Sequence, residues 1–285
     1  MSIARSAEKA LIWTLTVFFS AGFFLGFAQR PLLAQAAAAD SEIHRFNGKY
    51  LGKMGIDFGK VLISPIHWKG KDLLLFGGAV AATGLVVVLL DHGTREWVED
   101  HQKTIITNPS LFITHLGEAP FLLGVSAVLY AGGEAFKNDG LRKTALLSLE
   151  SFCINGIVVN GMKYILARAR PLSGEGYESF HWFSFKNGQH GFPSGHASSA
   201  FAVAAVIAGQ SDNFLVGTVS YGLASLVALS RVNNNEHWLS DVVGGSIIGY
   251  FIGKKVLALN RPSGKNKPTL SFGPAPGGFA LSLRF

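Results

Sequence analysis

The sequence predicts an all-α protein embedded in a membrane, with a six-helix bundle as its core and a short C-terminal β-hairpin. Of its 285 residues, 48% are hydrophobic and only 15% are charged, with a mean hydropathy of +0.31. A typical soluble domain has about 25% charged residues. Its 34 glycines are also better tolerated in membrane helices than in soluble ones. So much apolar surface must be hidden from water that a disordered protein is excluded.

Six apolar stretches are long enough to form the helices of this bundle. They cover residues 73–90, 121–132, 144–166, 197–209, 214–229 and 242–259. Only the first and third clearly reach the roughly 17–25 residues that span a bilayer. The second and fourth are short, which also fits buried or partly inserted helices. After them, alternating apolar residues flank the turn at 273–278 and predict the hairpin, packed on the helices.

The N-terminal segment has the parts of a secretory signal peptide. Arg5 and Lys9 precede an apolar run at 10–28, and Ala34-Gln35-Ala36 follows as a small-residue cleavage site. We expect cleavage after Ala36, with an uncleaved membrane anchor as the alternative. The predicted organisation is a signal or anchor at 1–36, an extension at 37–72, a helical core at 73–260 and a tail with the hairpin at 261–285. The single cysteine, Cys153, excludes internal disulfides.

Residues with catalytic chemistry are concentrated in three segments. The first is Lys163-x6-Arg170-Pro171, the second is Pro193-Ser194-Gly195-His196, and the third is Ser230-Arg231-x5-His237-x3-Asp241. The first closes the third predicted helix, the second opens the fourth, and the last joins the fifth helix to the sixth. In an alternating path of antiparallel helices these four ends share one side of the bundle. We therefore expect the three segments to converge.

The cations and the helix start in these segments suit a phosphoryl group. Lys163, Arg170 and Arg231 would repel one another unless a multiply charged anion lay between them, and guanidinium groups match phosphoryl oxygens bidentately. Ser194 and Gly195 precede a helix whose free N–H groups can face an anion.

The remaining residues supply acid–base and nucleophilic groups. His237 and Asp241 are four residues apart at a helix start, so their side chains lie on one face. The carboxylate can hold one imidazole nitrogen and leave the other free to attack. His196 is then available as a general acid for the leaving oxygen. Together with the cations, these groups form a complete set for phosphoryl transfer without a metal.

The three segments resemble the three-part signature of the type 2 phosphatidic acid phosphatase superfamily, and every part matches across residues 163–241. The six-helix pattern is also similar to the core of that family. The resemblance implies that His237 is the nucleophile of a phosphohistidine intermediate, with Asp241 as its partner and His196 as the acid. It implies that Lys163, Arg170, Ser194, Gly195 and Arg231 hold the phosphate, and that no metal or other cofactor is required.

The resemblance leaves the substrate open. The apolar composition favours a lipid phosphate or diphosphate, such as undecaprenyl diphosphate, phosphatidate, phosphatidylglycerophosphate or a lipid A phosphate. A soluble, broad-specificity periplasmic acid phosphatase is the first alternative. Two further alternatives are a vanadate-dependent haloperoxidase and a catalytically inactive lipid-binding protein. Trp182, Phe183 and Phe185 could line an acyl or prenyl entrance, and ordinary loop packing explains them equally well.

The expected partners are the lipid phosphate and the membrane, with no nucleic acid. The net charge of +7 suits anionic partners without selecting one. Loops on the side of the three segments carry six Lys and Arg residues, against fifteen on the other side, which favours a site outside the cytoplasm. A cleaved signal peptide followed by six membrane-spanning helices would instead place the site in the cytoplasm. Because the two arguments conflict, the number of membrane-spanning helices stays open. We expect the protein to lie in the bacterial cell envelope, as an inner-membrane protein whose site faces the periplasm. The alternative is a soluble periplasmic protein.

Overall fold

The computed structural model describes residues 45–101, 107–261, 269–275 and 278–284, and this part of the chain holds nine α-helices. The predicted signal peptide lies outside the described residues. The helices are α1 (Gly48–Ile63), α2 (Gly70–Leu89), α3 (Asp91–His101), α4 (Thr107–His115), α5 (Ala119–Ala135), α6 (Asp139–Leu166), α7 (Gly195–Gln210), α8 (Phe214–Asn233) and α9 (Leu239–Leu259). Two strands, β1 (Thr269–Ala275) and β2 (Gly278–Arg284), pair antiparallel. The structure describes the backbone pairing of these strands but not their side chains, so the packing of the hairpin on the helices remains a prediction.

The six predicted apolar stretches lie in α2 and in α5 to α9, but the six-helix count is not confirmed. Helices α1, α3 and α4 were not predicted, because their sequences are shorter or more polar. Helix α2 is apolar on every side and has no buried residue, and it lies against α9 and α3. A helix that is apolar on all sides and is not buried by the rest of the protein is suited to contact with lipid. The buried core is therefore formed by α5 to α9, with α1 packed at one end.

Within the described part of the chain, four helices are long and apolar enough to cross a membrane, in place of the two that the sequence clearly indicated. They are Gly70–Leu89, Asp139–Leu166, Phe214–Asn233 and Leu239–Leu259. The pair Pro109–His115 and Ala119–Ala135, bent by 56°, would make a fifth. The fifth and sixth stretches were underestimated because each helix continues beyond one end of its apolar stretch into a segment that contains polar residues. This extends α8 to 20 residues and α9 to 21.

Helix α7 is the centre of the bundle. It packs on α6, α8 and α9, and ten of its 16 residues are buried. Side chains of α5, α6 and α8, such as Leu129, Leu141 and Val227, join α7 in one apolar cluster. Side chains of α9, such as Val256, join it in another. The short fourth stretch is thus a buried helix, one of the two options that its length allowed.

Helix α9 approaches α7 along a stripe of three glycines, each four residues from the next. These glycines are Gly245, Gly249 and Gly253. A Cβ on Gly245 would lie 2.6 Å from the carbonyl oxygen of Ser194, and one on Gly253 would lie 2.5 Å from that of Ala202. Small residues at this spacing let membrane helices approach backbone to backbone. The stripe fixes the start of α9 beside the start of α7, where two of the three sequence segments lie.

Replacing Gly249 by alanine is expected to destabilise the bundle, because the added Cβ would fall on the carbonyl group of Ser198, a backbone group that cannot turn aside. Overpacking of this kind costs about 1–3 kcal/mol. The measurement is the thermal unfolding midpoint in detergent. Gly222→Ala on α8 is the control, since no described atom lies within 4 Å of a Cβ there. Equal midpoints for the two variants would show that the stripe is not a close contact.

Candidate active site

The three sequence segments meet at one end of the bundle, where α6 and α8 end and α7 and α9 begin. Backbone hydrogen bonds tie them together. The Ser194 N–H donates to the carbonyl of Asp241 at 2.9 Å, and the Gly191 N–H donates to that of Arg168 at 2.8 Å. The indole N–H of Trp238 donates to the carbonyl of Ala169 at 2.9 Å. The structure therefore brings together residues that are up to 78 positions apart in the predicted signature, from 163 to 241.

His237 and Asp241 face each other as their spacing predicts. The Nδ1 of His237 lies 3.5 Å from Oδ2 of Asp241, and both side chains are buried. The same Oδ2 accepts a hydrogen bond from the backbone N–H of Trp238 at 3.0 Å. The carboxylate thus faces Nδ1, which leaves Nε2 of His237 as the nitrogen available to a substrate.

Arg168 holds that carboxylate, and sequence reasoning missed it. Its guanidinium is fully buried and donates to Oδ1 of Asp241 at 2.5 Å and to Oδ2 of Asp91 at 2.7 Å. It also donates to the hydroxyl of Ser240 at 2.6 Å and to the carbonyl of Tyr177. Arg168 therefore fixes Asp241 from the side opposite to His237.

Asp91, the first residue of α3, was also missed. Its Oδ1 accepts from the backbone N–H of Ser240 at 2.8 Å, so it satisfies a free N–H in the first turn of α9. The available signals were weak: Asp91 is the acidic residue that directly follows the first apolar run, and Arg168 lies within the Lys163-x6-Arg170 spacing. Neither signal indicates by itself that the two residues meet.

Arg170 and Arg231 converge on one carboxylate, that of Glu236. Arg170 Nη1 donates to its Oε2 at 2.9 Å, and Arg231 Nη2 lies 3.5 Å from the same oxygen. Arg231 Nη1 donates to the hydroxyl of Thr114 at 2.6 Å. Its Nε is buried and has no hydrogen-bond partner among the described residues. One donor of a fixed guanidinium is thus left for another acceptor.

Lys163, Ser194 and Gly195 lie together at the start of α7. The ammonium nitrogen of Lys163 is 3.5 Å from the position that a Cβ would take on Gly195, so glycine leaves room for this approach. Ser194 is the N-cap of α7, but its side chain does not cap the helix, and its buried hydroxyl has no partner within the described part of the chain. Buried polar groups without partners are rare and often mark a site that a ligand completes.

Both histidines of the site are neutral at neutral pH. Burial lowers the pKa of His196 to about 3, and the charges of Arg231, His237, Lys163 and Arg170 add to the effect. Burial lowers the pKa of His237 to about 4, although its contact with Asp241 opposes the shift. A neutral imidazole is the form that a nucleophile needs. An anion bound among the cations would offset their charge and favour the protonated form of His196.

The aromatic residues between the first two segments are exposed beside this site. Trp182, Phe183 and Phe185 expose 61%, 72% and 76% of their surface. The Phe183 N–H donates to the carbonyl of Ile165 at 2.9 Å, and the ring of Phe185 lies 5.0 Å from that of Tyr164, the neighbour of Lys163. We call Trp182, Phe183 and Phe185 the aromatic patch. These contacts hold the patch against the C-terminal end of α6, the helix that carries Lys163.

Comparison with known proteins decides the family. The PAP2 superfamily model matches residues 144–264, which include all three segments. The phosphatidylglycerophosphatase B of Bacillus subtilis is 31% identical over 151 residues, which are 49% of this chain and 68% of that protein. The chain belongs to the PAP2 superfamily. Among the described residues, no group of three His, Cys, Asp or Glu side chains could hold a metal ion.

Two further proteins are similar to this PAP2 protein. The lipid A 1-phosphatase of Porphyromonas gingivalis is 27% identical over 188 residues, which cover 65% of this chain but only 38% of that protein. The crystal structure of a transmembrane PAP2-type phosphatidylglycerolphosphate phosphatase from Bacillus subtilis superposes with a TM-score of 0.53. It is 23% identical, and the match covers 68% of this chain and 98% of that one, so the fold is shared.

Proposed function

We propose that this PAP2 protein is a metal-independent phosphatase that hydrolyses a lipid phosphate or diphosphate. One observation carries the proposal: a buried His237–Asp241 pair lies at the same end of the bundle as three cationic side chains. A histidine nucleophile surrounded by cations suits phosphoryl transfer, because charge that develops on the equatorial oxygens is stabilised in place. The names of the two curated relatives, both phosphatases that act on lipids, support the same reaction.

In the proposed mechanism, Nε2 of His237 attacks phosphorus and forms a P–N bond while the P–O bond to the lipid breaks. His196 gives its proton to the leaving oxygen. Water then attacks the phosphohistidine, the P–N bond breaks, and the proton of the water passes to His196. Asp241 keeps Nδ1 of His237 oriented and stabilises the positive charge that forms on the ring.

The proposed phosphate ligands are the side chains of Lys163, Arg170 and Arg231, with Ser194 and Gly195 at the helix start. Two of their groups, Nε of Arg231 and the hydroxyl of Ser194, have no partner among the described residues. A phosphoryl group accepts hydrogen bonds through three oxygens, so it can satisfy both. The charged side chains among these proposed ligands are cationic, whereas Mg2+ prefers carboxylate oxygens. Activity should therefore survive EDTA.

The aromatic patch favours a lipid over a soluble substrate. It is continuous with the outer face of α6, a candidate span, where Tyr164 and Ile165 are 41% and 46% exposed. Aromatic residues are enriched where membrane helices meet the bilayer surface. A lipid whose headgroup reaches Lys163 would have its chains beside these rings.

The substrate class is tested by phosphate release from lipid and soluble substrates, with the patch removed. Trp182→Ser/Phe183→Ser/Phe185→Ser is expected to raise KM for phosphatidate in mixed micelles at least tenfold and to leave kcat/KM for p-nitrophenyl phosphate within twofold. Each lost ring removes apolar contact with the lipid but no phosphate ligand. Phe136→Ser, which is 71% exposed at the opposite end of the bundle, is the control. Equal losses on both substrates, or none on the lipid, would favour a soluble acid phosphatase.

We also propose that the site faces the periplasm of an inner-membrane protein, as the distribution of Lys and Arg suggests. In a Cys153→Ser background, Ser173→Cys on the site side should react with a membrane-impermeant maleimide in intact spheroplasts. Ser173 is exposed, and Asp212→Cys, in the exposed loop at the opposite end, should react only after permeabilisation. The reverse pattern would place the site in the cytoplasm and point to lipids made on the inner leaflet.

A further inference from the structure

Glu236 places a carboxylate between the two arginines of the proposed phosphate site. One oxygen, Oε2, accepts from Arg170 at 2.9 Å and lies 3.5 Å from Arg231. Neither the three segments nor the proposed mechanism uses this residue, although it directly precedes His237. An acidic side chain in contact with two phosphate ligands opposes the binding of an anion, and its presence calls for a physical reason.

We propose that Glu236 is an internal competitor of phosphate. Its carboxylate accepts a hydrogen bond from Arg170 and pairs with Arg231, and a phosphoryl group must displace it to bind both guanidiniums. The inference rests on the proposed function for the assignment of these arginines to phosphate.

The exposure of the three side chains indicates which of them has room to move. Arg231 is 9% exposed and is held by Thr114, whereas Arg170 and Glu236 are 32% and 36% exposed. Glu236 can therefore swing into solvent while Arg231 stays. The backbone of Glu236 is fixed by a hydrogen bond from its N–H to the carbonyl of Arg231 at 3.1 Å, so the carboxylate remains within reach and returns when the site empties.

The consequence is a weaker hold on the phosphate product. Without the carboxylate, three cations would retain a phosphate dianion strongly, and slow product release limits turnover in many enzymes. With it, the guanidiniums have a partner ready when phosphate leaves. Glu236 would thus lower affinity for free phosphate while leaving the nucleophile and acid untouched.

The test is the binding of inorganic phosphate to the purified, full-length protein by calorimetry, together with its inhibition constant. Glu236→Gln is expected to bind phosphate at least about tenfold more tightly, because a like charge at contact distance is removed. The gain should shrink as salt rises to roughly 0.5 M, where exposed charges are screened. Glu236→Asp, which keeps the charge, should bind phosphate nearly as the wild type does.

Glu134→Gln is the matched control, because Glu134 is 43% exposed and pairs with Arg142 at 3.2 Å at the opposite end of the bundle. It should change neither phosphate binding nor turnover. Equal or weaker phosphate binding by Glu236→Gln would overturn the proposal and make Glu236 a group that positions the arginines. Failure of the proposed function would look different: the wild type would release no phosphate from any substrate, while the calorimetric comparison would still decide the role of Glu236.

Discussion

Replacing His237 by alanine is expected to abolish phosphate release from every substrate. The side chain is buried beside Asp241 and is the proposed nucleophile, so its removal takes away the atom that forms the covalent bond. Loss of such a residue typically costs about 10⁴-fold or more in kcat. The measurement is steady-state phosphate release from a lipid and a soluble substrate, with KM determined where activity remains.

Asp241→Asn provides the graded comparison. It keeps the shape of the side chain but removes the charge that orients His237, so we expect a slow enzyme with kcat reduced and KM little changed. Thermal unfolding of both variants should be recorded, because Asp241 also contacts Arg168. A His237→Ala protein that retains a tenth of the activity would contradict the nucleophile assignment.

Replacing Arg168 by alanine is expected to produce the largest loss of stability in the site. Asp91 and Asp241 are both fully or almost fully buried, and the guanidinium that bridges them is fully buried as well. Removing one partner of a buried ion pair costs about 3–5 kcal/mol, because the remaining charge is left without compensation. The unfolding midpoint in detergent should fall strongly, and activity should be lost with the orientation of Asp241.

Two variants separate this effect from a general loss of charge. Arg168→Lys keeps the charge but cannot donate in a planar fork to both carboxylates, so it should recover part of the stability and little activity. Lys60→Ala removes the more exposed of two lysines that pair with buried Asp57 on α1. Because Lys53 remains paired with that carboxylate, the change should cost no more than about 1 kcal/mol. An Arg168→Ala protein as stable as the Lys60→Ala protein would contradict the bridging role.

The sequence could predict where the site lies because its residues are tied to helix ends. Apolar stretches mark the helices by composition, and an antiparallel path then brings Lys163, His196, Arg231 and His237 to one side. That argument needs no knowledge of packing angles. The all-helical membrane fold was predicted from composition, and the PAP2 family was predicted from the resemblance of the three segments to its signature.

The parts that the sequence did not predict depend on contacts between distant and individually ordinary residues. Asp91 is an isolated acidic residue after α2, and only the packing of α3 beside α9 brings it to Arg168. The contact of Glu236 with two arginines likewise depends on side-chain geometry. Helices α1, α3 and α4 escaped prediction because helix formation there depends on tertiary packing of short or polar segments more than on a long apolar run.

The measurement that tests the central claim most directly is trapping of the covalent intermediate. Wild-type protein is mixed with a radiolabelled phosphate ester, denatured rapidly in alkali, and examined for protein-bound label. The account predicts label that is stable in alkali and lost in acid, as expected of a P–N bond, present in the wild type and in Asp241→Asn and absent from His237→Ala. Label that persists in His237→Ala, or turnover by a wild type that never becomes labelled, would contradict it.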